Sequence, residues 1–198
     1  MCLDETTREK YLEALRGVLN EKRLRHTLGV EKMAMKLARM NGADVTKAQT
    51  AALLHDIAKR MPEKLALARE LGIAPTPTEQ QNPELLHGPI AARLMERDFH
   101  ITDQDVLNAV RYHTTGRRGM SLLEKIIYQA DFIEENRDFD GVEEMRAITY
   151  ENLDAGVLAG IIHTIKYLLD KRATIEWNSI ETYNDMLKAK EEISGKEV

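Results

Sequence analysis

Apolar residues in this chain recur three and four positions apart, and nowhere alternate with polar ones for more than four residues. Leu12, Leu15 and Leu19 form one such stripe, and Leu24, Leu28, Met33, Leu37 and Met40 form a second. A helix puts residues at this spacing on one face, whereas a half-buried strand needs strict alternation. Val, Ile and Thr never gather between turn residues as a strand requires. The pattern predicts an all-α fold. The 198 residues suffice for one sizeable core. With no repeat and no linker, a single domain over 1–198 is expected.

Punctuation places the helices. Asn41-Gly42 closes the second stripe as a C-cap. Thr46-Lys47-Ala48-Gln49 reads as a capping box opening the next helix. A short helix from Glu63 to Leu71 follows Pro62 and ends at Gly72. Ile73 to Pro83 holds three prolines and no period, which predicts a loop with at most a distorted turn. Gly88-Pro89 opens a helix to about Phe99. Thr102 with Asp105 caps one running to about His113, and Ser121 with Glu124 caps Leu122 to about Asn136. Further helices are expected from Val142 to Asn152 and from Asp154 to Lys171. Ile175 to Glu192 is amphipathic, and the last few residues are expected to fray.

Charge and cysteine narrow the function classes. A net charge of -5 argues against nucleic acid or an anionic membrane as partner. Such a chain binds phosphate only locally, through a metal or a few cations. Its one cysteine, Cys2, excludes an intramolecular disulfide and Cys-based zinc clusters, and fits a reducing compartment. The charged stretch from Asp4 to Lys10 is no signal core, and runs such as Val157 to Ile162 fall far short of the ~20 residues of a membrane span. A cytoplasmic protein is expected.

Against this background one doublet stands out. His55-Asp56 ends the apolar stretch Ala51-Ala52-Leu53-Leu54. Two metal-capable side chains on a greasy helix are costly to bury unless something binds them. Consecutive residues point about 100° apart on a helix, so they can approach an ion only off the helix end. Asp56 has two oxygens and is the natural bridge between two ions. Taken alone, the doublet also fits an aspartate paired to Lys59 or Arg60 beside a core histidine. His26, His87, His113 and Asp131 could complete a site. Three of these have their own alternatives: a surface histidine for His26, a helix cap for His87, and pairing with Lys125 or Arg137 for Asp131. His113 sits at a helix end before a polar loop, a usual place for a ligand. His100 and His163 read as structural. Imidazole and carboxylate together suit Fe, Mn, Co, Ni or Zn, and composition does not choose among them.

The order of His26, His55-Asp56 and Asp131 within one helical chain resembles the HD-domain metal-dependent phosphohydrolases. The segments Arg25-His26-Thr27, Leu54-His55-Asp56-Ile57-Ala58-Lys59, Leu86-His87-Gly88-Pro89, Ala109 to Gly116 and Ala130 to Glu134 with Arg137 resemble their branch of bacterial symmetrical diadenosine tetraphosphate hydrolases. One departure is Glu135, where that branch often has proline. The resemblance implies an HD-domain helical bundle, with a core over about 19–136 and the helices of 142–192 packed on it. It implies a dinuclear iron centre that splits the tetraphosphate bridge in the middle and releases two ADP. His26, His55, Asp56 and Asp131 would hold one metal, and His87, His113 and the second oxygen of Asp56 the other. Lys59, Thr114, Thr115, Gly116 and Arg137 would lie near the nucleotide, as would His26 and His87. Asp56, Lys59 and Arg137 would carry the catalysis through metal-activated water. Arg117 and Arg118 would add attraction unless they are plain solvated surface. Partners would be the dinucleoside polyphosphate and product ADP, with a homodimer left open. Other HD-domain activities, such as a nucleotidase or a deoxynucleoside triphosphate hydrolase, and a non-catalytic nucleotide-binding module remain as alternatives.

Overall fold

A computed structural model describes residues 2–194, with side chains through 188; the fraying expected of the final residues falls outside them. Among the described residues there are eleven α-helices and one 3-10 turn, and no strand. The helices are α1 (Glu5–Val18), α2 (Glu21–Asn41), α3 (Val45–Leu54), α4 (Lys64–Glu70), α5 (Pro77–Gln81), α6 (His87–Phe99), α7 (Gln104–Arg111), α8 (Leu122–Ile133), α9 (Val142–Glu151), α10 (Leu153–Asp170) and α11 (Trp177–Ser194), with the 3-10 turn at Pro83–Leu86 before α6.

The centre of the bundle is α3. Ala48, Ala51, Ala52, Leu53 and Leu54 are all fully buried, so this helix is covered all round rather than on one stripe. Helices α2, α7 and α8 pack around it, α6 lies on α7, and α1 packs on α3. α10 lies on α8 and carries α9 and α11. The first stripe faces this core through Leu12, Leu15 and Leu19. The second does so only through Leu24, Met33 and Leu37, because Leu28 and Met40 turn outward at 37% and 48% exposure.

Gly42 closes α2 with φ of 70°, the left-handed conformation that favours glycine. The box at Ser121 and Glu124 forms as read, but α8 ends at Ile133, short of Asn136. Two other caps differ from expectation. Asp44, not Thr46, caps α3 by accepting from the amides of Thr46 and Lys47, and Gln49 turns instead to Leu3 and Glu31. Asp103, not Thr102, caps α7 by accepting from Asp105 and Val106. The expected loop before Pro83 contains α5, opened by a capping box between Thr76 and Glu79 with Pro77 at the first helical position.

Candidate metal centre

Since α3 is buried all round, its end lies inside the protein. There the backbone tightens: Ile57 N–H donates to Leu54 O at 3.2 Å and Lys59 N–H to Asp56 O at 2.8 Å, closing three-residue turns. These turns bring Asp56 back beside His55. His26 reaches the same point from the first half of α2, and Asp131 from the end of α8. His87 opens α6, and His113 follows α7. The last two meet because α6 and α7 approach closely at Gly88, where a Cβ would lie 2.7 Å from the Arg111 carbonyl. This glycine admits the neighbouring helix.

The two oxygens of Asp56 face different histidines. Oδ2 lies 3.4 Å from His55 Nε2 and 3.9 Å from His26 Nε2, while Oδ1 lies 3.3 Å from His87 Nε2 and 3.8 Å from His113 Nε2. Asp131 Oδ1 sits 2.9 Å from His26 Nε2. The ring protons are assigned by the partners on the far side. His55 Nδ1 donates to the Ala52 carbonyl at 2.6 Å, His113 Nδ1 to Val110 at 2.7 Å, and His87 Nδ1 to Glu84. A carbonyl only accepts, so each Nδ1 carries the hydrogen, and it is Nε2 that presents a lone pair in the neutral tautomer. His26 Nδ1 donates to Glu134 Oε1 at 3.0 Å.

This leaves acceptors facing acceptors. His87 and His113 Nε2 are 3.0 Å apart, in rings only 1% and 3% exposed. Nε2 of His26 and of His55 is buried without an aligned hydrogen-bond partner. Converging lone pairs and carboxylate oxygens without hydrogens between them fit a cation. Two sets are compact enough, their ligand atoms within 4.8 Å of one another: His26, His55 and Asp131, and His55, Asp56 and His113.

The electrostatics agree. Burial would raise the Asp56 carboxyl, but the His55 and His87 imidazoles beside it outweigh burial and hold it well below the usual carboxylate range. Burial is likewise overcome at Asp131, held low by His26 and Arg137. Burial, with His87 and His55 adding to it, pushes His113 down to about 3, keeping it neutral and able to ligate. At His26 burial is outweighed by Asp131 and Glu134, and the ring favours positive charge on or against it.

Other partners correct or extend the sequence reading. Asp56 pairs with Arg23 at 2.8 Å, not with Lys59 or Arg60. Asp131 pairs with Arg137 at 2.6 Å, while Lys125 goes to Asp154. Lys59 Nζ and Thr114 Oγ1 stand 3.5 and 3.4 Å from His87 Nε2. The Gly116 amide donates to Tyr112 O at 2.8 Å and is committed there rather than offered to a phosphate. Its bare Cα makes room for Thr182, whose Oγ1 would lie 2.4 Å from a Cβ, and the Thr115 hydroxyl donates to the Gly116 carbonyl at 2.9 Å. Arg117 is taken up by both oxygens of Glu124. His163 packs on Phe132 and Phe139, and His100 ends α6. The sequence reading missed Arg23, Glu134 and Arg146, which fixes the carbonyls of Ile133, Glu134 and Arg137. Glu134 did leave a signal, a carboxylate closing an apolar helix.

A helical body that gathers four histidines and two aspartates at one point is built to hold metal. The model of the HD domain family matches residues 23–136, and the chain belongs to that family. Its relatives are more particular. It is 42% identical over 180 residues, 89% of this chain and 96% of the other, to a symmetrical bis(5'-nucleosyl)-tetraphosphatase of Bacillus subtilis (strain 168). It is 42% identical over 182 residues, 91% of this chain and 97% of the other, to a protein of the same name in Halalkalibacterium halodurans. The crystal structure of a predicted HD superfamily hydrolase involved in NAD metabolism, from Clostridium acetobutylicum, superposes with a TM-score of 0.89 at 38% identity, covering 96% of this chain and all of that one.

Proposed function

We propose that this chain is a hydrolase that cuts diadenosine tetraphosphate in the middle and releases two ADP. The observation that carries the reading is the set of Nε2 lone pairs divided between the two oxygens of Asp56. His26, His55, Asp131 and Asp56 Oδ2 would hold one cation, and His87, His113 and Asp56 Oδ1 the other. Iron is the expectation, and Mn, Co, Ni and Zn suit the same donors. Two bound cations would polarise the phosphoryl oxygens and lower the pKa of water. Asp56 then positions both sides of the centre at once. Lys59 and Arg137 neutralise charge growing on the phosphoryl oxygens and on the departing ADP. The Thr114 hydroxyl, next to His87, steadies a phosphate. The oxygen of water bonds to one inner phosphorus, and the central bridging P–O bond breaks. The bridging oxygen leaves on the second ADP, and the protons of water pass to solvent as the new terminal phosphates ionise.

The names of the relatives favour this over another HD-domain activity, such as release of phosphate from a mononucleotide. Two variants test it. Asp56→Ala should abolish ADP formation while the circular dichroism of the helices is kept. His113→Ala should lower metal content from about two ions per chain to about one, by mass spectrometry of the purified protein. ADP formation surviving in Asp56→Ala would defeat the reading.

A further inference from the structure

Beside the metal centre lies a cavity of about 630 Å³, within the range of small-molecule sites. Its wall carries Lys22, Arg23, Arg25, Lys59, Arg60 and Arg137. Its two carboxylates are already engaged: Glu84 is held by Lys64 at 2.8 Å, and Glu134 accepts from His26 and Asn136. Arg23 is paired with Asp56, and Arg137, which pairs with Asp131 through Nε and Nη2, is already assigned to the scissile phosphates. Lys22, Arg25 and Arg60 are exposed and form no ion pair among the described residues. Besides Lys59, which stands beside His87, three unneutralised cations frame this cavity, a local exception in a chain of net charge -5.

A second cavity of about 350 Å³ is lined by Thr114 and Thr115, and the Thr114 hydroxyl stands 3.4 Å from His87 Nε2. Its two cations, Arg93 and Arg111, are equalled in number by two carboxylates, Glu79 and Glu176, and Arg93 is itself paired with Glu96 at 2.9 Å. The segment bearing His87 divides the two, since Glu84 faces the first cavity and Leu85 the second. A substrate with two nucleotide halves thus meets one strongly cationic cavity and one charge-balanced cavity.

Resting on the function proposed above, we infer that the cationic cleft binds one half of the dinucleoside tetraphosphate, with its phosphates against Lys22, Arg25 and Arg60. The other half lies beyond the metal centre, on the Thr114 side. The three cations make the enzyme select a substrate with phosphate on both sides of the scissile bond.

The test uses the full-length, metal-loaded protein and a diadenosine tetraphosphate whose central bridging oxygen is replaced by methylene, so that binding is read without cleavage. Calorimetry should show Lys22→Ala, Arg25→Ala and Arg60→Ala each weakening binding on the order of 5-fold, and the triple variant about 100-fold. Because salt screens exposed charges, the dependence of log Kd on log salt should become shallower in the triple variant than in the wild type. Lys22→Arg, Arg25→Lys and Arg60→Lys together should keep most of the affinity, and metal content should be retained throughout. A triple alanine variant that binds within about twofold of the wild type with the same salt slope overturns the inference. Failure of the wild type to make ADP from the unmodified dinucleotide would instead overturn the function proposed above, and the Kd comparison would still decide the cleft.

Discussion

Glu134 is only 1% exposed, and a buried carboxylate persists only where donors surround it. It has three: His26 Nδ1, the Asn136 amide and the Asn136 side chain. Of the four site histidines, His26 alone is held by a carboxylate; the others lean on carbonyls. Gly29 makes this possible, since a Cβ there would fall 2.1 Å from Glu134 Oε2. Glu134→Gln should therefore weaken metal binding about 10–100-fold, measured by competition with a chelating dye, and Gly29→Ala should do the same by displacing the carboxylate. Unchanged affinity in both would remove Glu134 from the site. Lys59→Ala and Arg137→Ala should keep their metal and lose about 2–4 kcal/mol of transition-state stabilisation, read from kcat/KM. At this scale the ligand-type residues were legible because a histidine or aspartate among apolar neighbours has few purposes. Arg23 and Glu134 were not, because their partners lie 33 and 108 residues away and only packing reveals them.

Among the elements, the close pair α6 and α7 sets the second half of the site. Gly88→Ala would drive a methyl to 2.7 Å from the Arg111 carbonyl, so the helices must part. Such overpacking should cost about 1–3 kcal/mol in urea unfolding and pull His87 from His113, with loss of one bound ion. Full stability with full metal content would contradict this account of the helix pair. Helix identity was legible from periodicity, and most boundaries from glycine and proline. The errors arose where several oxygens compete within two residues. At Asp44 and Asp103 a carboxylate accepts from two amides and adds favourable charge at a helix start, which Thr46 and Thr102 cannot match. α5 was hidden for the opposite reason. It has no buried residue, so no apolar period announced it, although Thr76-Pro77-Thr78-Glu79 carried a complete start signal.

Across the whole molecule, the site ties together α2, the end of α3, the start of α6, the end of α7 and α8. A metal that binds only this arrangement stabilises the fold by mass action, so removal by a chelator should lower Tm. For an ion held at about 100 times its Kd the loss is on the order of 5–10 °C, checked by scanning calorimetry before and after chelation. No shift would mean the histidines are not bound to metal in the folded protein. The all-α class was legible because one period dominates the chain. Convergence of six residues spread from His26 to Asp131 was legible through the resemblance but not from periodicity or spacing, because it depends on a central helix covered on every side and a glycine between two others. The most direct test of the central claim is hydrolysis of diadenosine tetraphosphate in ¹⁸O-labelled water, followed by mass spectrometry of the products. The account predicts ADP as the sole nucleotide product, with label in the terminal phosphate of one of the two molecules formed. AMP with ATP, or labelled orthophosphate, would contradict it.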